Sequence, residues 1–192
     1  MTELIEFINR FVELDSETEQ AIVDCFETEV YEKNEFILEE GKICTKISLI
    51  QSGLVRRFYM NDGQEVTNWI YHENQWLTSM TSFFDQKPSF ENFQTCEKTV
   101  LYSLSYADEQ RLLEYPLFAK FHITLLRRYL ASLNEFHHKY KLMTAHEKYS
   151  YLISYFPEIV KRAKLKHIAS LMNVSQETLS RIRASINWHY IK

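Results

Sequence analysis

Glycine and proline are scarce in this chain, three residues of each among 192, which excludes collagen-like and linker-type architectures. Cysteine is as scarce. Cys25, Cys44 and Cys96 are odd in number and far apart, and they match neither a disulfide framework nor a zinc or iron–sulfur spacing. They are read as free thiols in a reducing cytosol. Long hydrophobic runs are missing too, since no stretch approaches the ~18 apolar residues of a membrane span. Glu3 and Glu6 stand where a secretory leader would carry basic residues, so a cytoplasmic location is expected.

Histidine and glycine are also missing from the places where several enzyme classes need them. The strand-rich stretch 30–106 holds one histidine, His72, so the histidine–carboxylate cluster of a metal-dependent barrel enzyme cannot be assembled there. Gly41, Gly53 and Gly63 each stand alone, which excludes a glycine-rich phosphate loop, and no nucleophile-elbow signature surrounds any serine. No catalytic residues, metal ligands or cofactor are assigned, and an enzyme is not expected.

What the chain does have is a globular composition, 45% hydrophobic and 15% aromatic, and a charge asymmetry hidden in its net −4. Residues 1–138 carry 12 Lys and Arg against 23 Asp and Glu, a balance of −11. Residues 139–192 carry 10 against 3, a balance of +7. Such a reversal points to different partners for the two parts.

Apolar spacing of three and four predicts helices within residues 3–28, with Asp15 and Ser16 breaking the run. Short stretches rich in β-branched and aromatic residues follow, among them "EFILEEGK", "KISLIQSGLVRRFYMNDGQEVTNWIY" and "VLYSLSY". Asp62-Gly63 is a strong hairpin signal, and the regular strand spacing predicts a small antiparallel barrel or jelly roll over 30–106. Trp69, Trp76 and the phenylalanines near "SFFDQKPSFENF" suggest an apolar barrel cavity. After Pro116 an apolar stripe runs through Phe118, Phe121, Leu125, Tyr129, Ser132/Leu133, Phe136, Tyr140 and Met143, giving one long helix. Pairing of that stripe with a second copy about a two-fold axis is the preferred reading, and packing onto the chain's own sheet the other. The capping box Thr144-Ala145-His146-Glu147 starts a new helix and sets a domain boundary after Met143.

From Lys164 the chain reads "KLKHIASLMNVSQETLSRIRASI". Leu165, Ile168, Ala169 and Met172 form the apolar face of a short helix, Asn173 suits a left-handed turn, and Ser175 caps a second helix whose inner side is Leu179, Ile182 and Ile186. Gln176, Glu177, Ser180, Arg181 and, further round, Arg183 face outward. These are the parts of a helix-turn-helix, whose second helix enters the major groove. Arginine reads guanine, glutamine reads adenine, and glutamate accepts from cytosine. The candidate DNA-binding residues are therefore Ser175, Gln176, Glu177, Thr178, Ser180 and Arg181. Lys164 and Lys166, with Lys161 and Arg162, are candidates for phosphate contacts.

With "NEFILEEGK", "LIQSGLVRRFYMNDGQE", the helix at 117–143 and "IASLMNVSQETLSRI", the chain resembles the catabolite activator protein / fumarate-nitrate reduction regulator (Crp-Fnr) family of bacterial transcription regulators. The resemblance implies an α+β chain with an N-terminal cyclic-nucleotide-binding-like β-roll, a long dimerisation helix and a C-terminal winged-helix-like helix-turn-helix. It implies residues 1–143 as effector domain with dimer helix and 144–192 as DNA-binding domain. The implied partners are a second copy, palindromic double-stranded DNA, RNA polymerase and a small-molecule effector of unknown identity, with no membrane involved. The family's Arg-Glu-x-x-x-Arg trio falls on Gln176, Glu177 and Arg181, so two of three positions agree. Its phosphate-binding cassette falls on Thr78, Ser79, Ser89 and Phe90, and its adenine-facing hydroxyl pair on Leu133 and Asn134. No arginine stands between Arg57 and Arg111 to pair a buried cyclic phosphate, so cyclic AMP is not expected to bind. A wing is expected to be short or missing, because the chain stops within "NWHYIK". The alternative function is a ligand-sensing β-roll protein that signals through protein contacts without DNA.

Overall fold

The computed structural model describes residues 1–186, leaving aside the side chain of His137. Two helices open the chain, α1 (Thr2–Asn9) and α2 (Ser16–Cys25), and Asp15 caps the second by accepting the Thr18 N–H at 2.8 Å. The helical spacing extends to residue 28 in the sequence, but α2 ends at Cys25. Strand β1 (Phe26–Tyr31) begins at once, because a six-residue antiparallel ladder with β8 (Thr99–Ser105) claims "FETEVY".

Between them lie β2 (Phe36–Leu38), β3 (Lys46–Ser52), β4 (Val55–Asn61), β5 (Gln64–Tyr71), β6 (Trp76–Leu77), the short helix α3 (Met80–Asp85) and β7 (Asn92–Thr95). Two four-stranded sheets result, ordered β1-β8-β3-β6 and β2-β7-β4-β5. This is the expected antiparallel roll. Asp62 and Gly63 turn β4 into β5, both at positive φ (48° and 76°), as a two-residue primed turn needs. Gly53, at the turn from β3 to β4, has φ 115° and approaches Thr99 so closely that a Cβ would lie 2.7 Å from its Cα. Glycine is required there on both counts.

The rest is helical: α4 (Tyr106–Leu112), α5 (Pro116–Leu142), α6 (Ala145–Tyr155), α7 (Pro157–Arg162), α8 (Leu165–Met172) and α9 (Gln176–Ser185). Pro116 opens α5 at a position where no N–H is needed, and the predicted capping box of Thr144 and Glu147 opens α6.

Two apolar cores form. One joins α1, α2, the sheets and the start of α5 through Phe118, Phe121 and Leu125. The other is built by Tyr149, Leu152, Ile159, Ile168, Met172 and Leu179, and it includes Leu54 and Ile70 of the roll. The C-terminal helices therefore share apolar packing with the roll across the boundary placed at Met143/Thr144.

The stripe on α5 needs correction. Phe118 and Phe121 are fully buried within the chain, and Phe136 meets Trp69 at 5.1 Å and Tyr140 at 4.6 Å between ring centroids. Much of the predicted stripe thus packs on the chain's own roll and C-terminal helices. The uncovered apolar residues of α5 include Ile123 at 48% and Leu130 at 67% exposure in the neighbouring row, and Tyr129 of the stripe at 38%. Periodicity located an amphipathic helix without telling which of two adjacent apolar rows meets its own chain.

Candidate nucleic-acid interface and effector site

Helix α8 stops at Asn173, whose left-handed φ 56° and ψ 49° turn the chain, while the Val174 N–H returns to the Ala169 carbonyl at 3.0 Å. Ser175 then caps α9, accepting the Thr178 N–H at 3.1 Å. Ala169 (2% exposed) and Leu179 (0%) are buried between the helices. That fixes the rotation of α9 and leaves Gln176, Glu177, Ser180 and Arg181 exposed on its outer side. Thr178 is half-buried, and its hydroxyl accepts from Arg181 Nη2 at 3.5 Å. Ser175 and Thr178 therefore build and brace the helix start, while the other four present their polar groups to solvent. Its own backbone N–H and the Ser175 hydroxyl hold the Glu177 carboxyl below its usual range, so it is an anion and a pure acceptor at neutral pH.

Lys164 and Lys166 are exposed on the same unit, but Arg162 is not free for phosphate. Its guanidinium takes Glu73 through both Nη1 and Nη2 at 2.8 Å, and Nη2 also bonds Glu97. Burial opposes the Glu73 charge, yet Arg162 and the Gly53 N–H draw its pKa down to about 2. Lys161 pairs with Glu158 at 3.0 Å. Two further contacts tie α8 to the roll: Ser170 Oγ accepts the Thr67 N–H at 2.9 Å, and Arg56 approaches His167 Nδ1 at 3.5 Å. Strand β5 is an edge of its sheet, and α8 covers it.

The cassette residues part company. Ser79 and Ser89 come together, both buried, with their hydroxyl oxygens 3.0 Å apart. Ser79 donates to the Glu91 carboxylate at 3.1 Å, and Ser89 accepts the Glu91 N–H at 3.0 Å. Thr78 is buried beside them but turns to the Lys46 carbonyl and the Cys44 thiol. Phe90, by contrast, is 60% exposed and contributes nothing to the cluster. Leu133 and exposed Asn134 sit on α5 outside both apolar cores, and no hydrogen bond of theirs is found among the described residues reaching Ser79 or Ser89.

An arginine does reach the site, from an earlier strand. Arg57 Nε lies 3.4 Å from Glu91 Oε1 and donates to Asn68 Oδ1 at 2.8 Å. Burial works against its charge, but Tyr71, Glu91 and Tyr129 around it hold its pKa above the ordinary arginine range. Adjacent residues of a strand point to opposite faces, so Arg56 serves the α8 contact while Arg57 serves the cassette. Sequence reasoning searched for arginine within the cassette and missed Arg57 and Glu91. The available signal was the Arg-Arg pair on a strand with two faces to serve.

One cavity of the roll, about 300 Å³ among the described residues, has a mixed lining where an apolar one was expected. Lys46, Glu29 and Tyr31 line it together with Phe36, Leu38 and Phe93. Trp69 and Trp76 are core residues, packed on Phe156 and on Phe7 and Phe26. Among the described residues no group of His, Cys, Asp and Glu is arranged to hold a metal ion, and no helix is long and apolar enough to cross a membrane. The expected short or missing wing lies outside the described residues.

Residues 28–115 match the family model of the cyclic nucleotide-binding domain. The fold is shared with the catabolite activator protein of Thermus thermophilus, at 23% identity and TM-score 0.54 over 90% of this chain and 84% of that one. It is shared with the c-di-GMP-responsive global regulator CLP of Xanthomonas campestris, at 15% identity and TM-score 0.63 over 90% and 91%. A CooA mutant from Carboxydothermus hydrogenoformans gives 16% identity and TM-score 0.62 over 85% and 77%. No curated protein matches the sequence. The chain thus shares the fold of these regulators, and its residues 28–115 are similar to a cyclic nucleotide-binding domain, as its motifs indicated.

Proposed function

We propose that this protein is a sequence-specific, DNA-binding transcription regulator, not an enzyme, that acts as a homodimer in the bacterial cytoplasm without responding to cyclic AMP. The observation that carries the reading is the outer side of α9, where Gln176, Glu177, Ser180 and Arg181 are exposed on a helix held by a capped turn and a buried Leu179. These side chains are the types that read base edges, and they occupy the helix start that enters the groove. Lys164 and Lys166 supply phosphate contacts. In this reading residues 1–143 form the sensing and dimerising part and 144–192 the DNA-binding part. The uncovered row through Ile123 and Leu130 is the two-fold contact, which sets the two α9 helices about 34–36 Å apart on a palindromic site. RNA polymerase is a further partner in this reading if the regulator acts as an activator.

The test is fluorescence anisotropy on a site selected from random DNA. Arg181→Ala is expected to lose about 1–3 kcal/mol of binding free energy on that site. Affinity should fall steeply with added salt, as released counterions require. A protein that signals by protein contacts alone would show neither effect, and an unchanged Arg181→Ala variant removes the base-reading role.

A further inference from the structure

The network around Ser79 and Ser89 has the form of an occupied anion site. One buried hydroxyl, that of Ser79, and a guanidinium meet at one carboxylate, with Asn68 Nδ2 3.5 Å from its Oε1, while the buried Ser89 hydroxyl braces Ser79 and the Glu91 backbone. Glu91 and Arg57 keep 8% and 18% of their side chains exposed, so neither charge is balanced by bulk water. An arginine in such a place needs an anion, and the chain itself provides one. The cassette positions read from the sequence are those where a phosphate of a bound effector is implied, and Ser79 and Ser89 are the two of them that converge.

The geometry points to Glu91 as a built-in ligand: its carboxylate fills an oxyanion pocket made by Arg57, Ser79 and Asn68 and braced by Ser89, and removing it opens that pocket to a small carboxylate or phosphate from solution. Tyr129 on α5 is among the groups that favour the Arg57 charge, so the filled pocket lies beside the long helix without an effector. As a statement about regulation this rests on the DNA-binding reading above, and it adds that the regulator stays permanently in its liganded arrangement. As a statement about the pocket it does not, and its test involves no DNA.

The experiment compares the thermal unfolding midpoint of the full chain and of Glu91→Ala in chloride, formate, inorganic phosphate and cyclic AMP at equal ionic strength. The wild type is expected to be indifferent to the last three. Glu91→Ala should unfold several degrees lower in chloride and recover saturably with formate. Recovery with phosphate or cyclic AMP as well would show that the opened pocket admits larger oxyanions, down to the cyclic phosphate itself. The double variant Glu91→Ala/Arg57→Met should lose the response. If Glu91→Ala is not folded in chloride, Glu91→Ser takes its place with the same reading. A variant whose midpoint follows the wild type in every anion, a double variant that still responds, or a wild type that is itself stabilised by cyclic AMP overturns the inference. Failure of DNA binding would leave these midpoints unaffected, so the two readings fall separately.

Discussion

The two polar regions of this molecule are built in opposite ways. In the roll, Arg57, Asn68, Ser79, Ser89 and Glu91 bond to one another in a buried cluster. On α9, Gln176, Glu177, Ser180 and Arg181 stand in solvent on a helix whose inner side is locked. Buried polar groups cost free energy unless paired, so a cluster that satisfies itself has little left to offer a ligand. Exposed, well-braced side chains keep their hydrogen-bonding capacity for a partner. The difference teaches that the part of the chain matching a ligand-binding domain is the part with its recognition groups already engaged.

The comparison can be broken or sharpened by substitution, beginning where the largest effect is expected. Leu179→Ala empties a fully buried site under α9 and should cost about 2–5 kcal/mol of unfolding free energy in urea titration. A loss below 1 kcal/mol would mean that α9 is not anchored as described. Arg162→Ala strips the charged bonds to Glu73 and Glu97 and should cost about 1–3 kcal/mol, because it leaves two partly buried carboxylates facing each other. An unaltered stability would detach the C-terminal helices from the roll.

The pH dependence tests the same contact. His167 is held neutral to about pH 4 by burial and by the cations Arg56, Lys166 and Lys164, from an ordinary 6.5. The unfolded chain takes up that proton first, so stability falls as pH drops from about 6.5 to about 4, by up to about 1.4 kcal/mol per pH unit. Glu73 continues the loss in a lower window, from 4.5 toward about 2, since its stabilising charge is present above that range. His167→Gln should flatten the upper window alone, as seen in urea midpoints across that range. The smallest effect belongs to Ser175→Ala, which removes the α9 cap and should cost about 0.5–2 kcal/mol.

What was legible in the sequence follows the range of each interaction. The turn at Asn173, the Ser175 cap and the Thr144–Glu147 capping box rest on residues within one helical turn of each other, and all three form as read. The Asp62-Gly63 hairpin is equally local. The long helix was legible as an element, but its neighbours were not: Phe136 and Tyr140 are covered by Trp69, Tyr151 and the second core, while the exposed row belongs to Ile123 and Leu130. The effector site was least legible. Arg57 and Glu91 meet because β4 pairs with β7 and places Arg57 opposite Phe93, and no spacing within the cassette reports a cross-strand register. The same long-range pairing hid the role of Glu73, which lies far from Arg162 in the chain.

The central claim is that the outer side of α9 reads duplex DNA, and the most direct measurement is anisotropy of the full-length chain against a randomised duplex pool in dilute buffer. Binding that enriches a palindrome and weakens steeply with salt is the result expected. A chain that leaves every duplex unbound, even at the lowest ionic strength, contradicts the account.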